Sequence, residues 1–300
     1  MYKQLLNEAM LEFAIKPHGP ILIKATDGAG ADPTHPDMEF VRTQQHIYLP
    51  GSSLKGVVRA HAERIVRAFQ PGNQNGQGAC DPLDRSESCG GRLNREQQST
   101  RRYAQSCRIC QLFGNTVVAG RAHFTDAMPH GKVALEQRNG VAIDRVYGSA
   151  YSGALFNYEV ATKGVFKTTI HLRNFTLSQL ALIGLALRDL GEGRVGLGFG
   201  KSRGMGRVEL EWGKLTIRYP LATLRAQRPS TSEILGVGTL LGNGAQVYGM
   251  PRDDRAKLPA NVQFAEDGWL SLVAVAEGKQ QIEGIFQAAT TRWGAEVAHG

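Results

Sequence analysis

The chain has 300 residues, 42% hydrophobic and 21% charged, and no run approaches the ~20 consecutive apolar residues of a membrane span. Asn7 and Glu8 stand where a secretory leader would have its apolar core, so the expected place is the cytoplasm, with no membrane partner. Lys and Arg number 35 against 27 Asp and Glu, a net charge of +8, and excess cation favours polyanions because each neutralised phosphate releases counterions.

Leu11, Phe13 and Ile15 alternate with Glu12, Ala14 and Lys16, the period of a half-buried strand, and Ile21 and Ile23 continue it past Gly19-Pro20. Residues 27–37 are rich in Gly, Asp and Pro and read as loop. Pro50-Gly51-Ser52-Ser53 opens a helix with a serine available as cap. Its apolar face runs through Leu54, Val57, Val58, His61 and Ile65 as far as about Phe69, while Lys55 and Arg59 share another face. After loop composition at 71–79 comes a stretch holding all the cysteines, and then a Gly- and Tyr-rich region at 138–165.

Phe166, Thr168, Ile170 and Leu172 alternate with Lys167, Thr169, His171 and Arg173, a strand with one basic face. Thr176 and Gln179 form a capping box for a helix over 177–190 that stops at Gly191. A glycine-rich loop spans 191–206, followed by strands through Val208 and Leu210 and through Leu215 and Ile217. Two strand–helix–strand units predict an α+β, ferredoxin-like core and leave room for its duplication. Beyond 221 the pattern gives a loop at 251–262, a strand at 269–276 and a helix at 281–293, without an architecture to join them.

Cys80-x8-Cys89-x17-Cys107-x2-Cys110 supplies four thiolates, and in a reducing compartment clustered cysteines are read first as metal ligands. Four sulfurs fill a tetrahedral zinc shell and leave no open position, so the expected zinc is structural; the alternative is four free thiols. In the 191–206 loop, glycines let backbone N–H groups approach phosphate while Arg194, Lys201 and Arg203 add charge, although a tight inter-strand loop would have the same composition. Lys55 and Arg59 near a helix N-terminus suit phosphates, or simply a solvated helix face. Asp27, Asp32 and Asp37, with His35, could bind a divalent cation or do acid–base work. His46, His61, His123, His130 and His171 show no metal spacing or catalytic pairing.

Several segments together resemble the RAMP superfamily of CRISPR proteins: Pro50-Gly51-Ser52-Ser53-Leu54-Lys55-Gly56, Cys107-Arg-Ile-Cys110-Gln-Leu-Phe-Gly114 and Gly120-Arg-Ala-His-Phe-Thr-Asp126-Ala127. Gly140-Val-Ala-Ile-Asp144-Arg145, with Gly153-Ala-Leu-Phe156 and Tyr158-Glu159-Val160, is similar to the family's thumb segment, and Gly191–Gly206 to its glycine loop. The resemblance implies an RRM-like palm over 1–220, a zinc-binding insertion at 79–110, a thumb β-hairpin at 138–165 and a C-terminal extension at 221–300. Within the superfamily it points to the repeated backbone subunit of type III (Csm/Cmr-like) effectors, in a III-D or III-E-like branch.

Such a subunit would bind crRNA and complementary target RNA and contact other effector subunits, including neighbouring backbone subunits. The implied RNA contacts are Ser52, Ser53, Lys55, Arg59, Asp144, Arg145, Phe156, Arg194, Lys201, Ser202 and Arg203. The implied cleavage residue is Asp37, in Pro36-Asp37-Met38-Glu39-Phe40-Val41-Arg42, with Asp32 as second choice and Mg or Mn as the cation; Pro36 and Glu39 depart from the family pattern. Two rivals follow, a binding-only subunit and a crRNA-processing endonuclease using a base such as His35 or His46.

Overall fold

The computed structural model describes residues 3–25, 36–70, 77–225 and 229–299. Asp27, Asp32 and His35 lie outside the described residues. Four strands make the core: β1 (Glu8–Pro17), β2 (Ala122–Phe124), and, beyond a hairpin of β3 (Ala134–Ile143) with β4 (Ala150–Lys163), β5 (Phe166–Arg173) and β6 (Val208–Tyr219). They pair antiparallel in the order β6-β1-β5-β2, with α1 (Gly51–Phe69) between β1 and β2 and α5 (Leu177–Gly191) between β5 and β6. That is the ferredoxin-like arrangement, and the two strand–helix–strand units are the halves of one core rather than two copies of it.

The alternation in β1 holds: Leu11, Phe13 and Ile15 are buried with Phe166, Ile170 and Leu172 of β5 and with Leu54, Val58, Ala62 and Val66 of α1. Ile21 and Ile23 are buried too, but Ile21 makes only an isolated bridge to Ala161, so no strand continues there. The two strands expected around 208–217 are one. A bulge opposite Glu12 and Phe13 inserts Gly213, which shifts the inward positions from even to odd numbers. A Cβ on Gly213 would meet the Glu12 carbonyl oxygen at 2.8 Å, so the bulge needs glycine.

The capping box forms as the sequence predicts: Thr176 Oγ1 accepts the Gln179 N–H and Gln179 Oε1 accepts the Thr176 N–H. The expected serine cap of α1 does not form. Pro50 is the N-cap, without a side-chain bond, and Asp126 Oδ1 accepts the Gly51 N–H at 2.7 Å instead. Leu49 and Ala127 exchange backbone hydrogen bonds beside it, locking the helix start to the Asp126-Ala127 turn. A Cβ on Gly51 would lie 2.4 Å from the Phe124 carbonyl oxygen, so this close approach also requires glycine.

Part of the extension beyond residue 220 joins the same sheet. β7 (Leu272–Glu277) pairs antiparallel with β6, and α6 (Gly278–His299) packs on α5. The strand and helix expected at 269–276 and 281–293 are thus present with shifted ends, and the stretch expected as loop contains a short strand, Arg255–Lys257. Asn7, fully buried, ties extension to core: its amide donates to the Phe175 and Leu235 carbonyls and accepts the Phe175 N–H.

Candidate RNA interface and metal centre

The cysteines lie in a module of three short helices, α2 (Cys89–Arg92), α3 (Ser99–Gln105) and α4 (Arg108–Phe113): Cys89 opens α2, Cys107 caps α4, Cys110 lies within α4, and Cys80 comes from the loop before them. All four are buried, and their sulfurs lie within 4.8 Å of one another, with Cys80 Sγ and Cys110 Sγ 3.6 Å apart. Tetrahedral Zn–S bonds of ~2.3 Å place sulfurs about 3.8 Å apart, so the donor set and its spacing fit zinc. The Cys107 N–H points at Cys89 Sγ at 3.1 Å and the Cys110 N–H at Cys107 Sγ at 3.4 Å, the backbone donors a thiolate cluster needs. Hydrogen bonds from Cys107 and Cys110 pull the Cys80 thiol down to about 7, whereas hydrogen bonding with Cys107, Cys80 and Cys89, followed by burial, pushes Cys110 up. Four neighbouring thiols cannot all ionise unless a cation offsets their repulsion.

Arg59 belongs to this cluster. Its guanidinium donates to Glu63 Oε1 at 3.1 Å, to the Gly114 carbonyl at 3.0 Å and toward Cys110 Sγ at 3.7 Å. Arg67, two turns on, donates to the Cys80 carbonyl at 2.7 Å. In the structure Arg59 thus pairs with the residues framing the cysteine cluster, because burial favours giving a guanidinium partners over leaving it without them. Lys55 stays half-buried at the α1 N-terminal turn, without an ion-pair partner among the described residues, and burial followed by the Arg59 charge lowers its pKa. Ser52 is exposed and Ser53 half-buried beside it.

The second region is the β3–β4 hairpin, somewhat longer than expected from sequence, with Gly140 registered against Phe156. Phe156 covers that glycine: a Cβ there would meet its ring at 2.4 Å. Asp144 builds the tip turn by accepting the Val146 and Tyr147 N–H groups, leaving Arg145 exposed. Val146 and Tyr147 are 82% and 83% exposed, and Ile143, Tyr151 and Leu155 extend an apolar surface down the hairpin.

At the base of the hairpin, Phe156, Tyr158 and Phe199 follow one another at 6.0 and 6.5 Å between ring centres, and the Arg203 guanidinium sits 4.8 Å from the Phe199 ring. The glycine loop reaches this point because Phe199 N–H donates to the Leu22 carbonyl and Gly206 N–H to Pro20. Gly198 has φ +84°, and a Cβ there would lie 2.2 Å from the Leu22 oxygen. Lys201, Ser202 and Arg203 form an exposed turn, while Arg194 is ion-paired with Glu192 at 2.7 Å.

Asp37 is docked on the same base. Its carboxylate Oδ2 accepts the Asn157 N–H at 2.8 Å, and its own N–H donates to Asn157 Oδ1 at 2.7 Å. The following residues continue the docking, with Arg42 paired to Glu159 at 2.6 Å. Asp126 is the functional-motif residue whose role the sequence pattern did not reveal. Its local sequence carries no capping signal, since the helix start it caps lies 75 residues earlier.

No helix among the described residues is long and apolar enough to cross a membrane. No curated protein matches the chain. A model of the RAMP superfamily matches residues 15–209, which span the core, the cysteine cluster, the hairpin and the glycine loop. The chain belongs to the RAMP superfamily, and with it to the CRISPR-associated RNA-binding proteins.

Proposed function

We propose that this chain is a crRNA-binding backbone subunit of a type III CRISPR effector, that its cysteines hold a structural zinc, and that Asp37 serves cleavage of complementary RNA. The observation that carries the reading is the junction at which Asp37, the aromatic chain from Phe156 to Phe199 and the cationic turn Lys201–Arg203 meet at the foot of the hairpin. RNA laid along that turn would meet backbone N–H groups and cations on one side and the exposed apolar hairpin on the other. Stacking on apolar and aromatic side chains separates bases independently of sequence.

Cleavage would proceed by attack of a ribose 2′-oxygen on its own phosphorus with departure of the 5′-oxygen, leaving a cyclic phosphate. Asp37 has one carboxylate oxygen committed to Asn157 and the other without a partner among the described residues. The free oxygen would orient the nucleophile or help hold Mg or Mn. The reciprocal pairing of Asp37 with Asn157 also favours a second reading, in which the residue only pins the hairpin and the subunit binds without cutting. The deciding experiment is target-RNA cleavage by the assembled complex with Mg, wild type against Asp37→Ala. Regular cuts lost in the mutant with assembly intact support the catalytic reading; bound target uncut by both supports the second.

A further inference from the structure

The sheet face turned away from the helices is divided by charge. On the β1–β6 side, cations and carboxylates neutralise one another: Lys16 with Glu211 at 2.5 Å, Lys214 with Glu12 at 3.3 Å and Arg218 with Glu8 at 2.9 Å. On the β5–β2 side no such pairing occurs among the described residues. His123 of β2 is registered against His171 of β5, and Arg173 follows two residues along on the same face. Lys55 reaches the same edge from α1, whose first residue touches Phe124. The carboxylate registered opposite Arg173 is Glu8, which is already taken by Arg218.

Burial, then the charges of Arg173, Lys55 and His171, lowers the pKa of His123. Four cationic or protonatable side chains therefore converge where no described carboxylate offsets them. Like charges held together cost free energy in the isolated chain, and a bound polyanion recovers it. The site lies along β5 from the end of the hairpin: five residue steps lead from Phe166, the first residue of β5, to His171, roughly 16 Å at ~3.3 Å per residue.

We propose that His123, His171 and Arg173 form a second phosphate-binding site for single-stranded RNA, at the β2 edge of the sheet beside Lys55. It rests on the RNA-binding reading above and extends the path of the strand from the hairpin foot across the open face of β5. Neutral imidazoles donate one N–H each to phosphate oxygens, while Lys55 and Arg173 supply charge.

The test is binding of a fluorescein-labelled oligouridine to the purified full chain, followed by anisotropy over a series of KCl concentrations. A His171→Ala/Arg173→Ala double variant should bind about tenfold more weakly, and its slope of log affinity against log salt should fall by about 0.7, the share of one cationic phosphate contact on a single strand. Arg173→Lys should keep the wild-type slope. Unchanged affinity and slope in a double variant that melts like wild type would overturn the site. Lys201→Ala/Arg203→Ala separates this from failure of the broader reading: weakening there alone removes only the second site, whereas no binding by the wild type removes the RNA-binding reading itself. Loss of association with another effector subunit, with RNA affinity unchanged, would also overturn the proposal and assign the cluster to a protein surface.

Discussion

The cysteine module and the β3–β4 hairpin both interrupt the core, yet their side chains point in opposite directions. In the module the cysteines, Leu93, Ile109, Leu112 and Phe113 are buried although its helices are only a turn or two long. Helices of that length do not persist by propensity alone, so packing on α1 must hold them, and a metal shared by the cysteines would add to it. The hairpin has long paired strands and almost no core, and its apolar residues face solvent. Two-stranded hairpins are marginal in water, and this one is anchored at its foot by Asp37, Met38 and Arg42. Apolar groups kept outward on an anchored stalk serve contact with a ligand; those turned inward serve the fold.

Metal removal should break this contrast most sharply. Chelation, or Cys107→Ala, should unfold the module and lower the melting temperature steeply, since structural zinc contributes on the order of 10 kcal/mol; metal analysis of the purified chain should return one zinc. Retention of the wild-type melt after complete metal loss would make the cluster four inert thiols. Next in size, Asp37→Ala should reduce cleavage by the assembled complex by at least ~100-fold, while its stability falls by only about 1 kcal/mol for the lost Asn157 bond.

Asp254 supplies a pH test of how the extension is attached. Burial pushes its carboxyl up to about 7, against the lowering hydrogen bond from the Leu177 N–H at 3.1 Å and with help from Glu296, while Arg292 opposes. Its unfolded value is about 3.9. The native chain therefore holds the extra proton between those values, and this group's stabilisation is full below about 4 and lost as pH rises through about 7. Urea midpoints should decline over that window in wild type and less so in Asp254→Asn. A smaller effect, about 1 kcal/mol, is expected for Asp126→Ala, which leaves the Gly51 N–H without its acceptor. Smallest of all in stability is Tyr147→Ala at the hairpin tip, within about 0.5 kcal/mol. A measurable loss of RNA affinity without a shift in melting would confirm that the tip faces a ligand; a large fall in melting temperature would mean that it packs.

Local signals carried most of the core. The alternation in β1 and β5, the Thr176–Gln179 box and the Cys107-x2-Cys110 turn were all readable because each lies within a few residues. What escaped was set by distant partners. Arg59 could be given a face by its spacing, but its turn toward Cys110 depends on a short helix 51 residues later. The Asp126 cap and the Gly213 bulge likewise need the opposing chain to be seen. The cationic edge was invisible for the same reason, since His123 and His171 become neighbours only through strand register. The tail gave a strand and a helix without an architecture because sheet order is not written in periodicity.

That tail has a bearing on solubility. β6 would be an outer strand if the chain ended at the core, offering an unpaired row of N–H and C=O groups beside Leu215, Ile217 and Tyr219. β7 covers it from Lys214 to Tyr219, and Ala265–Glu266 in turn covers the start of β7. A chain shortened at residue 220 would thus expose a template for strand-to-strand self-association, and the extension acts as the molecule's own guard against aggregation.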